Sequence, residues 1–345
     1  MELSPSNAGG KTVATSQPIH LPMARYRLTF EGSAPLRFSD FPGSAWRGAL
    51  GHALRQMACT THLAACPACP KYRNCAYTEV FETPPPADTE KMRKYPNVPH
   101  PFVLVHRNLP PGKNGETRRC ELQLTLIGRG NRHFLLVAEA VRQAACGSRG
   151  ISGNRLKLID IRREEALGAN TWPQLPNPLD GTSNEIGAVE MPPCPPEASL
   201  ALLSPLRVKR DGRRVQPAEF RFSDLFVTLM RRISMLTYFH TDHPLQVDFK
   251  ELAETSRTVE IKSELAWKEL ERYSFRQETK MQMGGLVGRF SVTDERLPLF
   301  WPFLWLGQWT HAGTGATMGL GQYTLSTSGE CQFPHPVKAD LGAPA

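Results

Sequence analysis

The order of the strands and helices predicted along the chain constrains the fold most, because one order occurs twice. The first half reads strand, helix, strand, strand, helix, strand, at residues 25–31, 41–59, 101–106, 120–128, 131–146 and 155–163. The second half repeats this order at residues 198–209, 221–239, 258–273, 284–294, 297–309 and 319–326. A repeated βαββαβ order predicts an α+β protein with two tandem ferredoxin-like (RRM-like) modules.

The length of 345 residues is sufficient for two such modules. The predicted organisation is a disordered leader, an N-terminal module with a Cys-rich insertion at 58–100, a linker rich in Pro, Asn and Gly, a C-terminal module and a tail. Their respective bounds are 1–24, 25–166, 167–196, 197–328 and 329–345.

The net charge of +8 is concentrated in a few segments. The segment from Arg207 to Arg232 contains eight Lys and Arg residues and only three acidic residues. Clustered cations suit a polyanion such as a nucleic acid, whose counterions are released on binding. The alternative is a pair of solvated charged faces, and charge by itself does not decide between the two.

Hydropathy gives no indication of a membrane protein. The sequence contains no run of roughly 18 apolar residues, and the first 20 residues have no apolar signal core. We therefore predict a cytoplasmic protein that has no membrane partner and whose cysteines are mostly reduced.

Four of the eight cysteines lie within seventeen residues. Cys59, Cys66, Cys69 and Cys75 are separated by six, two and five residues. A C-x2-C pair with two flanking cysteines can close a tetrahedral zinc site, which would stabilise a Pro-rich insertion. The alternatives are unbound thiols or an iron–sulfur cluster, and none of these gives the cysteines a catalytic role.

A glycine-rich segment precedes the last predicted strand and contains Gly313, Gly315, Gly319 and Gly321. Glycine permits positive φ and close backbone approach, so that amide groups can meet a phosphate. The segment lacks the Gly-Lys-Ser/Thr ending of a P-loop. It is therefore interpreted either as a phosphate-contacting loop or as a tight structural loop.

His52 is the titratable residue that the helical pattern singles out. On a helical wheel the apolar stripe of the first helix contains Trp46, Leu50, Ala53 and Met57, and His52 lies well away from it. An exposed imidazole can act as a general base or acid near neutral pH, or it can be an ordinary surface histidine.

Several segments together resemble one family. They are WRGALGHALRQMAC at 46–59 with the following C-x2-C, CAYTEVFE at 75–82, SPLRVKRDGR at 204–213, RYSFRQETKMQMGGLVGRF at 272–290 and HAGTGATMGLGQYTL at 311–325. In combination, over residues 25–327, they resemble the endoribonucleases of the repeat-associated mysterious protein (RAMP) superfamily that process CRISPR precursor RNA.

The resemblance implies metal-independent cleavage of repeat RNA. The ribose 2′-OH would attack the adjacent phosphate and give a 2′,3′-cyclic phosphate. It implies His52 as the catalytic histidine, with Arg55 or Arg47 as the cation and with His62 and His311 as alternates. The glycine segment and a set of basic residues are expected to contact RNA: Arg207, Lys209, Arg210, Arg213, Arg231, Arg232, Arg272, Arg276, Lys280 and Arg289.

Two other functions remain open at this point. Related folds also serve as guide-RNA-binding subunits of CRISPR effector complexes that do not cut RNA. A DNA-binding regulator with a zinc-stabilised insertion is the third alternative.

Overall fold

The computed structural model describes residues 19–85, 88–90, 98–112, 115–175, 186, 189–274 and 279–327. At residues 272–274 and 279–281 it describes the backbone alone. The predicted leader at 1–24 and tail at 329–345 therefore lie largely or wholly outside the described residues.

The N-terminal module is a four-stranded antiparallel sheet with helices packed on one face. Its elements are β1 (Met23–Gly32), α1 (Gly43–Ala58), α2 (Ala76–Phe81), β2 (Phe102–Asn108), β3 (Arg119–Ile127), α3 (Phe134–Cys146) and β4 (Leu156–Arg163). The strand order β2-β3-β1-β4 is the ferredoxin-like order.

Alternation in β1 builds the core of this module. Tyr26, Leu28 and Phe30 are fully buried and pack against Trp46 and Leu50 of α1. Burial of each large apolar side chain contributes about 1.5–3 kcal/mol relative to exposure. The opposite face of the strand carries its arginines.

The C-terminal module repeats this plan. Its elements are β5 (Ala198–Leu206), β6 (Lys209–Arg210), β7 (Arg213–Arg214), α4 (Phe222–His240), α5 (Phe249–Ser256), β8 (Lys262–Lys268), β9 (Glu271–Ser274), β10 (Thr279–Gln282), β11 (Gly285–Val292), α6 (Leu297–Thr310) and β12 (Tyr323–Thr327). The main sheet has the order β12-β5-β11-β8, while β6-β7 and β9-β10 are two small hairpins. The predicted tandem ferredoxin-like fold is confirmed.

Some predicted elements were wrong in detail. The long strand expected at 258–273 is two strands, β8 and β9, interrupted at 269–270. The strand expected from 319 begins only at Tyr323, because residues 319–321 belong to a turn. Helix α5 was not predicted, although Asp248 caps it by accepting a hydrogen bond from the Glu251 amide at 2.9 Å.

The two modules share apolar contacts. Val103 of β2 and Ile127 of β3 are fully buried in the same cluster as Leu229 of α4 and Trp309 of α6. The N-terminal sheet is therefore fixed against the C-terminal module. Among the helices described, none combines the length and apolar character needed to cross a membrane.

Candidate nucleic-acid interface

The glycine loop, residues 312–321, connects α6 to β12 and touches both modules. Gly313 and Gly319 have φ of 78° and 91°, in the left-handed region. A Cβ at Gly313 would lie 2.5 Å from the Arg207 carbonyl oxygen, and a Cβ at Gly319 would lie 2.7 Å from that of Leu104 in β2. Only glycine satisfies both the backbone angle and the close approach.

Much of the hydrogen-bonding capacity of this loop serves the protein itself. The Thr314 amide donates to the Arg207 carbonyl at 3.0 Å, and the Gly321 amide donates to the Pro205 carbonyl at 3.0 Å. These bonds tie the loop to the end of β5. The geometry favours the structural interpretation of the glycines, and their contact with RNA stays a prediction.

Arg207 joins the β6-β7 hairpin to the β9–β11 region. Its guanidinium is buried and donates to the Met283 sulfur at 3.0 Å and to the Gln282 carbonyl at 3.4 Å. Burial, with the nearby charge of Arg214, lowers the pKa of Arg207. Lys209 and Arg213 on the same hairpin are exposed, so this edge presents accessible cations.

Other predicted RNA-binding arginines are engaged in contacts within the protein. Arg210 is paired with Asp224, with its Nε 2.9 Å from Oδ1, and Arg289 is paired with Glu264 at 2.7 Å. Arg232 donates from Nε to the Thr310 carbonyl at 2.7 Å, and burial lowers its pKa to about 10.

Among the remaining predicted RNA-binding residues, the structure describes one side chain. Arg231 is exposed on α4. Arg272 and Lys280 lie on β9 and β10, where only the backbone is described, and Arg276 lies outside the described residues.

Helix α1 begins directly beneath the glycine loop. A Cβ on Gly43 would lie 1.9 Å from the Met318 carbonyl oxygen, so the two backbones are in close contact. His52 lies nine residues further along, about 13 Å up the helix axis at 1.5 Å per residue. It is exposed, as the helical wheel predicted, whereas Trp46 and Leu50 are buried.

The two arginines predicted near His52 have other contacts. A terminal nitrogen of Arg47 lies 3.2 Å from His100 Nε2, and its guanidinium carbon lies 4.6 Å from the centre of the Phe81 ring. Arg55 donates to the carbonyls of Leu63 at 2.6 Å and Ala64 at 3.0 Å. A catalytic role for either cation would require these contacts to be exchanged for contacts with RNA.

The alternate histidines differ in accessibility. His62 is exposed and has a positive φ of 51°. His311 is 2% exposed, and its Nδ1 lies 3.2 Å from the Leu320 carbonyl oxygen. Burial lowers the pKa of His311 to about 3, so its ring is neutral at pH 7 and inaccessible to RNA. This placement favours a role in positioning the glycine loop.

Buried histidines make the stability of the protein sensitive to acid. Burial lowers the pKa of His240 to about 4, and His240 is 3% exposed. Like His311, it gains a proton when the chain unfolds, because an exposed imidazole has a pKa of about 6.5. The two neutral rings contribute their full share of the free energy of unfolding above pH 6.5. This contribution is lost as the pH falls from 6.5 through 4 toward 3.

We therefore expect the free energy of unfolding to fall by about 1.4 kcal/mol per pH unit for each such group in this window. Urea unfolding at several pH values measures it. In His240→Gln, which retains a donor for the Pro99 carbonyl, the slope should flatten, while the exposed-site control His62→Ala should match wild type. An unchanged slope in His240→Gln would contradict the assignment.

An arginine–tryptophan cluster that the sequence did not predict lies on the face of the N-terminal sheet opposite its helices. The guanidinium carbons of Arg25 and Arg27 lie 4.9 and 4.1 Å from the centre of the Trp172 ring. Arg25 is also paired with Glu164 at 2.6 Å, and Arg27 with Glu121 at 2.9 Å. The signal was present, because the alternation that buries Tyr26 and Leu28 places both arginines on the opposite face.

The four clustered cysteines line one cavity of about 160 Å³ between α1 and α2. None of them is in a disulfide, and Cys66–Ala68 forms a 3-10 turn. The Thr61 hydroxyl lies 3.2 Å from the Cys69 sulfur and 4.0 Å from the Cys59 sulfur. Across the described ranges, no group of three Cys, His, Asp or Glu side chains has a metal-binding arrangement, so the zinc site stays a prediction.

If these thiols bind zinc, protein expressed with zinc supplementation should contain about one zinc per chain by mass spectrometry. Cys69→Ser should remove most of that zinc, because three thiolates hold the ion less tightly than four. The matched control is Cys146→Ser at the end of α3. Metal-free wild-type protein that also fails to bind added zinc would contradict the prediction.

The chain is thus a doubled ferredoxin-like protein whose β6-β7 hairpin presents exposed cations. Residues 200–323 match the family model of the CRISPR-associated endoribonuclease Cas6, and residues 21–178 match a model described as an N-terminal domain. Over residues 200–323 the chain is therefore similar to this family of CRISPR-associated endoribonucleases.

Solved structures share the fold at low sequence identity. A Cas6 product complex is 14% identical, covers 88% of this chain and 99% of its own, and has a TM-score of 0.55. A partial Cas6-RT-Cas1–Cas2 complex is 14% identical, covers 93% of this chain and 48% of its own, and has a TM-score of 0.52. Comparison with curated proteins gives no significant match.

Proposed function

We propose that the protein cleaves CRISPR precursor RNA within its repeats, and that His52 moves the proton in this reaction. The observation that supports this most is the exposure of His52 on α1, the helix whose first residue is in close contact with the glycine loop. The exposed cations Lys209 and Arg213 would bind the RNA phosphates. They belong to the C-terminal module, which also carries the glycine loop.

The chemistry requires one proton acceptor and one proton donor. The neutral imidazole of His52 takes the proton of the ribose 2′-OH, whose oxygen attacks the adjacent phosphorus in line. The bond from phosphorus to the 5′-oxygen breaks, and that oxygen leaves with a proton from a second group or from water. The products are a 2′,3′-cyclic phosphate and a 5′-hydroxyl end.

A cation lowers the energy of the crowded phosphorane-like transition state. Arg47 and Arg55 are the candidates on α1, since each lies within five residues of His52 on the same helix. His62, which is also exposed, is the alternate proton carrier.

The rival function is a subunit of a CRISPR effector complex that holds guide RNA without cutting it. Incubation of the purified protein with repeat RNA and EDTA discriminates between the two. Our proposal requires a product that ends in a cyclic phosphate, identified by its mass and by its conversion to a monophosphate on acid treatment. Tight binding of intact RNA without any product would select the rival.

A further inference from the structure

A pocket of about 280 Å³ lies where the two modules meet. This junction pocket is lined by three segments: 73–84, which contains α2 and the residues on either side of it, 129–133 after β3, and 239–240 at the end of α4. Its walls therefore come from both modules. None of its residues was singled out by the sequence.

The junction pocket is cationic. Arg73, Arg129 and Arg132 line it, against one carboxylate, Glu79. Glu79 is fully engaged, with Oε1 2.6 Å from Arg132 and Oε2 2.5 Å from His133. Burial alone would raise the pKa of Glu79, but the hydrogen bonds from these two residues lower it below its ordinary value. One charge of the pocket is thus balanced internally, while Arg73 donates to the Pro85 carbonyl and Arg129 is paired with a carboxylate beyond the lining.

Of these cations, Arg129 can most easily exchange its present carboxylate partner for a ligand anion. Its guanidinium lies 2.5 Å from the Asp242 carboxylate, which lies outside the pocket lining and is 82% exposed. Ion pairs between exposed side chains are weak, so an anion in the pocket can displace Asp242 at little cost. The pocket also has an apolar side, formed by Phe239 and Pro84.

The pocket is held in place by close packing. A Cβ on Gly128 would lie 2.2 Å from the His240 carbonyl oxygen, and His240 donates from Nε2 to the Pro99 carbonyl at 2.7 Å. The lining segments are therefore fixed before any ligand arrives, which limits the ordering cost of binding.

We propose that the junction pocket binds one nucleotide of the RNA substrate, with Arg129 on its phosphate and its base or ribose against Phe239 and Pro84. Cations beside an apolar wall match the two chemical parts of a nucleotide. The inference rests on the proposed function, since it identifies a second contact for the same RNA. A strand bound there would contact both modules at once.

The test measures affinity for repeat RNA in which every 2′-OH is methylated, so that in-line attack cannot occur. In Arg129→Ala, binding should weaken about tenfold, and the slope of log Kd against log salt should fall by roughly one. In Asp242→Asn, which removes the competing carboxylate, binding should instead tighten about twofold. The control is Arg142→Ala, which removes a similar exposed, ion-paired arginine from α3.

A series of shortened RNAs locates the contact. Arg129→Ala should no longer weaken binding once the RNA lacks the nucleotide that occupies the pocket. The substitution and the shortening then remove the same interaction, so their effects on the Kd do not add. Equal penalties on every RNA, or weaker binding in both Arg129→Ala and Asp242→Asn, would overturn the proposal. Because this RNA is uncleavable, the result is independent of whether unmodified RNA is cut.

Discussion

His52→Ala is expected to slow the cleavage of repeat RNA at least about a hundredfold, since positioned acid–base groups contribute 10²–10⁴ in rate. The affinity for RNA should change little, because the substitution removes proton transfer and leaves the cations of the C-terminal module in place. The measurement is single-turnover cleavage with protein in excess, together with the Kd for uncleavable RNA. A hundredfold loss corresponds to about 2.7 kcal/mol of transition-state stabilisation.

The control for this experiment is Gln56→Ala. Gln56 is exposed one helical turn beyond His52, so this variant changes the same helix surface without removing an imidazole. Cleavage by Gln56→Ala should match wild type. If His52→Ala retains the wild-type rate, His52 is not the proton carrier, and His62→Ala becomes the next variant to measure.

Local patterns in the sequence predicted the architecture because each strand and helix buries one face, and one-sided burial produces a regular spacing of apolar residues. Two such patterns can be read within short segments, and their residues are buried. They are the alternation at Tyr26, Leu28 and Phe30 and the helical stripe at Trp46 and Leu50. Helix α5 was missed even though Asp248 and Glu251 have the spacing of a capping box. The sequence therefore contains a local signal for the start of this helix.

The candidate site was less predictable, because its properties depend on partners distant in sequence. The count of basic residues did not reveal that Arg289 is paired with Glu264, or that Arg232 is bound to the Thr310 carbonyl. The junction pocket combines segments 73–84 and 129–133 of the N-terminal module with residues 239–240 of the C-terminal module. No local pattern places Arg129 beside Phe239.

The glycine loop shows the same division. Its glycines were recognised, but the reason for two of them lies in distant backbone atoms, the carbonyls of Leu104 and Arg207. The sequence indicated tight turns and left open what the turns approach. The structure shows that the loop packs between the modules. A substitution that disturbs the contact between Met318 and α1 therefore tests how firmly the two modules are joined.

Gly43→Ala is expected to destabilise the protein by about 1–3 kcal/mol, the usual cost of forcing an extra methyl group into close packing. Its Cβ would meet the Met318 carbonyl oxygen at 1.9 Å, so α1 and the glycine loop must separate. The matched control is Gly48→Ala on the same helix, where a Cβ has no neighbour within 4 Å. That variant should gain up to about 1 kcal/mol from helix propensity.

Urea unfolding of the two variants measures this difference, and the midpoint of Gly43→Ala should fall while that of Gly48→Ala should rise. A separation of α1 from the loop would also displace His52 relative to RNA bound by the C-terminal module. Gly43→Ala should therefore lose cleavage activity even under conditions where it remains folded. Equal stability of the two variants would mean that the loop moves aside without cost and does not determine the position of the helix that carries His52.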